Sequence, residues 1–426
     1  MRLKTIALGL AAIAYASGAY AWQATDGKPY AGQTLHVLAV KSSQFEAQEA
    51  RLSEFEKATG IDVIVDYVPF PNMKEALTTE MVAGAGDYDV VSIMDQWVSS
   101  LRNLIQPIGD GIAAQGTDLS DFPQAHLRQG MIDGELYGLP VRGHVQLLFY
   151  RKDLLAKAGV KPPQTWDDVV SDSKAIQASS DAAGIALPYG KLNGQNLMVW
   201  INLLWGHGGD LFDDAGKPIF NSEAGVAATQ QYVDMLLKDK IAPAGSAVFV
   251  EQDAVNSFKQ GNSAMLPIWW WVRSQLTDPE QSKVTDDQLG FAPLPSVGGA
   301  ARTTFTNTWI FGVTEGSKHR DAAIEYLGWL TDPALERDIL LDPKLNEVVS
   351  VHFSNMRDPE VNARWGGMHQ AAADALATAK GMSFGDDWPR IVEVLETAIS
   401  SLASGEKTDV KDTLDAAAAE VARIRG

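Results

Sequence analysis

Short apolar runs alternate with amphipathic stretches from about residue 35 onward. Residues 35–40 form an apolar run stopped by Lys41-Ser42-Ser43-Gln44, which predicts a first strand ending in a polar loop. Ala47, Arg51, Phe55 and Ala58 then recur near a 3.6-residue period and are followed by Gly60, the pattern of one helix with a glycine C-cap. Ile61, Val63, Val65 and Tyr67 alternate with Asp62 and Asp66, predicting a half-buried strand. A second helix is expected over residues 73–83. Gly84-Ala85-Gly86 then turns the chain into a strand at 89–93. This β-α-β-α-β order with short connections predicts an α/β lobe with a mainly parallel sheet. Ligands of such sheets sit beyond the carboxyl ends of the strands, which puts Lys41, Ser42, Ser43 and Gln44 on one rim with Asp95, Gln96 and Trp97.

Further on, residues 138–150 are a long β-like run after the turn signal Asp133-Gly134, and Thr165 with Asp168 reads as a capping box opening a helix. Another αβ pattern extends to about Gly290, and residues 291–295 read as a break. Residues 310–313 are strand-like, 317–330 helical, and the last 45 residues amphipathic helix, with an Ala-rich stretch at 414–424.

The first 21 residues read as an address. Arg2 and Lys4 precede an apolar core at 6–16, and Ala19-Tyr20-Ala21 supplies a small-x-small cleavage pattern. The core is too short for a membrane span. Cleavage before Trp22 predicts a secreted, soluble, periplasmic chain. With 426 residues there is room for two or three domains. A net charge of −19 argues against broad contact with nucleic acid or anionic lipid. Having no cysteine excludes disulfides, thiolate chemistry, Cys-ligated metals and a lipidated-cysteine anchor.

Catalytic and cofactor signatures are missing. There is no P-loop, no His-Glu-x-x-His and no Gly-x-Ser-x-Gly, and the seven histidines are scattered. Gly84-x-Gly86 precedes a strand and reads as a turn. Asp210, Asp213, Asp214 and Gly216 lack the 1-3-5 spacing of a calcium loop, so a hairpin turn at 213–217 is expected. Asp167-Asp168 and Asp386-Asp387 read as solvated helix starts. No enzyme activity, cofactor or metal is expected.

Tryptophan stands out instead. There are twelve, and Trp269-Trp270-Trp271 follow a β-like run at 264–268. An indole is an apolar platform that still donates one hydrogen bond, which suits the C–H face of a sugar. Neighbours along a strand alternate sides, so all three cannot face one cleft.

Seven segments, in order, resemble one family. They are Phe55-Glu56-Lys57-Ala58-Thr59-Gly60-Ile61-Asp62-Val63, Gly86-Asp87-Tyr88-Asp89-Val90-Val91, Asp133-Gly134-Glu135-Leu136-Tyr137-Gly138-Leu139-Pro140 and Phe149-Tyr150-Arg151-Lys152-Asp153-Leu154-Leu155. Pro162-Pro163-x-Thr165-Trp166-Asp167, Gly208-Gly209-Asp210-Leu211-Phe212 and Phe258-Lys259-Gln260-Gly261-Asn262-Ser263-Ala264-Met265 follow. Over residues 35–424 the chain is similar to the family 1 extracellular solute-binding proteins of bacterial ABC importers, the maltose-binding-protein-like group. The resemblance implies two α/β lobes, each a mainly parallel sheet flanked by helices, at 34–141 plus 293–343 and at 147–290 plus 346–426. Hinge crossings would lie near 140–146, 289–294 and 342–346, and the lobes would close on a solute. It further implies a monomer that delivers a carbohydrate to a membrane permease, with the ATPase on another chain.

The family's ligand positions map to Lys41, Ser42, Ser43 and Gln44, to Asp95, Gln96 and Trp97, and to Arg142 and His144 in the hinge strand. His144 stands where maltose-binding protein has a Glu, which speaks against a maltodextrin. Asn196, Trp200, Trp270 or Trp271, Asn307 and Trp309 complete the set. A mono- or disaccharide, glycoside or polyol is the expected ligand. Lys41, Arg142 and His144 together leave an acidic or sulfonated sugar as the alternative. A secreted carbohydrate-active enzyme would need two carboxylates flanking a bond, and only Asp95 is so placed.

Overall fold

The computed structural model describes residues 22–84, 86–382, 385 and 387–426. The leader segment at 1–21, Ala85 of the glycine turn and Asp386 of the paired aspartates lie outside the described residues.

Among the described residues there are ten strands: β1 (Thr34–Val40), β2 (Asp62–Val68), β3 (Val90–Met94), β4 (Met131–Ile132), β5 (Glu135–Leu136), β6 (Leu139–Arg151), β7 (Ala183–Ile185), β8 (Ser263–Trp269), β9 (Leu289–Pro293) and β10 (Thr306–Val313). β4 and β5 form a separate hairpin. The others make one sheet of order β2-β1-β3-β10-β6-β8-β7, with β9 also on β6. β1 runs parallel to β2 and β3, as the βαβαβ pattern requires. β2 is an edge strand. Leu35 pairs with Val63, whose side chain is buried, while Ile64 on the opposite face is 48% exposed.

β6 joins the two halves of the sheet. Residues 139–145 pair antiparallel with β10, residues 146–150 pair antiparallel with β8 on one side, and residues 147–151 pair antiparallel with β9 on the other. Thirteen residues thus serve two neighbourhoods. The mainly parallel sheet expected of each lobe describes the first half. In the second, β8 and β9 both return antiparallel to β6, and β7 is parallel to β8.

Three local expectations are corrected. The single helix over Ala47–Ala58 is two, Ser43–Glu49 and Leu52–Thr59, interrupted at Ala50 and Arg51; Gly60 closes the second with φ 77°. The break at 291–295 begins inside a strand, β9. Pro293 ends it at an edge, where its missing N–H costs no ladder bond. The C-terminal helix is two, Trp388–Ala403 and Val410–Arg425, packed on each other. Other signals hold as read. Thr165 and Asp168 form a capping box, and Asp213 accepts from the amides of Ala215 and Lys217 in a turn. Among the described residues no helix is long and apolar enough to cross a membrane, and no cluster of metal-ligating side chains occurs.

Candidate binding cavity

Polar and aromatic side chains converge where the carboxyl ends of β1, β3 and β8 meet the middle of β6 and β10. Arg142 and His144 lie two residues apart on β6, hence on one face, and Asn307 and Trp309 do the same on β10. The register places Asn307 opposite His144 and Trp309 opposite Arg142, making a four-residue floor. Lys41 and Val40 come from the end of β1, and Met94 and Gln96 from the end of β3. Trp269 and Trp271 come from the end of β8, and Phe70, Asn193, Gln195, Met198, Glu251, Phe305, Trp388 and Val392 complete the lining. The enclosed volume is about 410 Å³. The depression between the two C-terminal helices, about 490 Å³, is rimmed by charged side chains and has no tryptophan.

Hydrogen-bonding capacity is left open on this floor. Arg142 Nε, His144 Nδ1 and Asn307 Oδ1 are buried and have no protein partner. Buried polar groups are ordinarily paired, and here three such atoms lie together on two adjacent strands at the cavity floor. Burial, the nearby Arg142 charge and His126 hold the His144 imidazole well below its ordinary range, so it is neutral at pH 7. Burial lowers the Arg142 guanidinium to about 10, and Glu347 opposes that fall. Glu251, on the wall, is pushed up to about 7 by burial, against the hydrogen bond from Trp269. His144 lies 6.3 Å from Trp269 and 6.5 Å from Trp271, each ring tilted 70° to it.

Of the residues expected at the site, the structure brings together Lys41, Gln96, Arg142, His144, Trp271, Asn307 and Trp309. The others are occupied elsewhere. Ser42 caps helix Ser43–Glu49 by accepting from Phe45 N. Ser43 donates to Glu347. Gln44 is buried, donating to Val141 O and accepting from Val349 N. Asp95 is buried too. Its carboxylate accepts from Gln96 N at 2.8 Å and Thr308 N at 3.3 Å, and burial raises it to about 8 despite those bonds. Trp97 lies behind the wall, stacked on Phe70 at 5.9 Å and edge-on to Trp309 at 5.6 Å.

Asn196 donates to Tyr189 O and Glu396 O, and it is the adjacent Gln195 that reaches the cavity. Trp200 is a core residue donating to Thr229. Trp270 is fully buried and donates to Gly143 O. β8 ends at Trp269 and Trp270–Val272 form a 3-10 turn, so it is this turn, and not strand alternation, that leaves Trp269 and Trp271 toward the cavity and Trp270 away from it. Phe70, Phe305, Glu251 and Trp388 were not anticipated. Only Phe70, flanked by Pro69 and Pro71 and left 52% exposed at a helix start, has a local signal.

Residues 40–336 match the family model described as bacterial extracellular solute-binding protein. The chain belongs to that family. A probable amino-acid ABC transporter periplasmic-binding protein of Sinorhizobium fredii is 30% identical over 378 residues, 85% of this chain and 84% of its own. The mannitol-binding protein of Pseudomonas aeruginosa is 26% identical over 311 residues, 71% of this chain and 70% of its own. Among solved structures, the sugar-binding protein MalE of Xanthomonas citri superposes with a TM-score of 0.81 at 22% identity, covering 92% of this chain and 97% of that one. A solute-binding protein of Agrobacterium radiobacter in complex with ribitol gives 0.73 at 23%, covering 92% and 98%. The fold is that of these two-lobed binding proteins.

Proposed function

We propose that this solute-binding protein is the periplasmic component of an ABC importer, and that its cavity captures a neutral sugar or polyol for delivery to a membrane permease. The observation that carries the reading is the floor of unpartnered polar atoms on Arg142, His144 and Asn307, set between indole walls. Each sugar hydroxyl both donates and accepts, and its C–H faces stack on aromatic rings. Two relatives support the ligand class by name, the mannitol-binding protein above and an arabinooligosaccharide-binding protein of Bacillus subtilis. The ligand would be held without chemistry, by a monomer. The lobes would be 34–141 plus 293–343 and 147–290 plus 346–426, a division supported by the two neighbourhoods of β6. A ligand touching both lobes stabilises the closed state by its differential affinity for it.

The test is thermal melting of the mature chain, residues 22–426, against neutral sugars, polyols, sugar acids and amino acids. A ligand at 100 times its dissociation constant adds about 2.7 kcal/mol. The expected shift is with a neutral sugar or polyol. A shift with amino acids alone, in keeping with the name of the Sinorhizobium relative, or with sugar acids alone, would overturn the ligand class.

A further inference from the structure

The cavity floor has a second layer behind it. Asn307 and Trp309 on β10 line the cavity, so Thr306 and Thr308 face the other side of the sheet, where both are fully buried. Their hydroxyls turn back onto β6. Thr306 Oγ1 donates to His144 O at 2.5 Å, and Thr308 Oγ1 shares its hydrogen between Arg142 O at 3.2 Å and Trp309 O at 3.3 Å. A carbonyl oxygen only accepts, so the single hydroxyl hydrogen of Thr306 is committed to His144 O. Thr306 Oγ1 also lies 2.6 Å from His126 Nε2, and the hydrogen of that bond must then come from the imidazole. His126 is therefore the Nε2–H tautomer with a bare Nδ1. Nδ1 is buried without a partner. It faces Gly143, where a Cβ would lie 2.6 Å from it. Gly143 stands between Arg142 and His144. His126, from the helix Gln124–Gln129, thus packs its fully buried ring on the glycine of the floor strand.

We propose that His126 is a positioning residue for the binding cavity, a role that rests on the cavity being the ligand site. By donating to Thr306 and packing on Gly143, it fixes the backbones of β6 and β10 where they carry His144 and Asn307. These two residues are opposite each other in the ladder, and Asn307 directly follows Thr306. The unpartnered atoms of both side chains are then held at a set spacing for the hydroxyls of a ligand. His126 touches no ligand itself. It contributes by preorganisation, because a floor already in place has less freedom to lose on binding.

Thr306→Val removes the hydroxyl at nearly constant shape and breaks both bonds, whereas Thr306→Ser keeps them. Calorimetric titration with mannitol and with glucose should show binding roughly five- to tenfold weaker in the Val variant and restored in the Ser variant. Wild-type affinity in Thr306→Val overturns the proposal and leaves the ligand reading intact. Should that variant fail to fold, His126→Gln and His126→Asn test the same link. The longer amide places a donor near the Nε2 position and should retain affinity, and the shorter one cannot reach Thr306 and should lose it; equal affinities overturn the proposal. If wild type takes neither compound, the ligand reading fails for them, and nitrogen NMR of the histidines still reads the link. His126, identified by the loss of its signals in His126→Gln, should show a protonated Nε2 and a bare Nδ1 at neutral pH. The His144 signals should move in Thr306→Val and return in Thr306→Ser. A protonated Nδ1 on His126, or unmoved His144 signals, overturns the proposal.

Discussion

Asn307 and His144 face each other across the β6–β10 ladder, and each presents a buried polar atom with no partner in the chain. Replacing either by Ala removes no protein hydrogen bond made by that atom, so the fold should persist. Ligand affinity should drop tenfold or more, because a sugar hydroxyl loses its partner in a desolvated site. Calorimetry on both variants, with melting as the control for folding, checks this. Full affinity in both would remove the floor from the site.

The tryptophan run separates binding from stability. Trp270→Ala empties a fully buried position and leaves Gly143 O unpaired, so it should cost about 3–5 kcal/mol. Trp271→Ala trims a half-buried cavity wall and should cost much less while abolishing most ligand affinity. Denaturant unfolding and titration of the two variants distinguish the roles; equal loss of stability in both would contradict the assignment.

Gly143 has no room for a side chain. A Cβ there would lie 2.2 Å from Cε1 and 2.6 Å from Nδ1 of His126, whose ring bonds Thr306 at 2.6 Å. Gly143→Ala must therefore displace a buried ring or part β6 from β10. A loss of about 1–3 kcal/mol is expected from such overpacking, read as a lower denaturation midpoint. Wild-type stability would show that His126 yields freely.

Asp95 makes stability depend on pH. Burial raises its carboxyl to about 8 from an ordinary 3.8. Between those values the folded protein keeps a proton that the unfolded chain releases. This contribution is complete below about pH 4 and is lost as the pH rises through about 8. The stability of wild type relative to Asp95→Asn should fall across this interval, by at most about 1.4 kcal/mol per pH unit. Denaturant titrations across the range measure the difference. A flat difference would show that the folded protein holds the carboxylate charged.

Much of the architecture is legible before folding is considered. The apolar alternation at 61–67, the capping box at Thr165 and the run at 138–150 are local patterns, and each became the element it predicted. The run's length is already a clue to the sheet, since thirteen residues of strand exceed what one neighbour needs. Local patterns misjudged the C-terminal region, where Gly405 turns the chain back between two helices, and β9, whose proline is harmless only at an edge.

The site divides the same way. From the sequence came the strand ends that carry it, the family segments, and the polar and aromatic character of its residues. Which side chains enter it was decided by partners far along the chain. Glu347 takes Ser43 from 304 residues away, and Thr308 takes up Asp95 across 213. Gly143 O accepts from Trp270, which commits that ring to the core and leaves its neighbours to the cavity. A sequence period specifies that alternate residues share a face. Only the packing of the second strand or helix against that face specifies whether it meets core, backbone or open space, because the competing hydrogen-bond partners are assembled by tertiary contact and carry no local spacing.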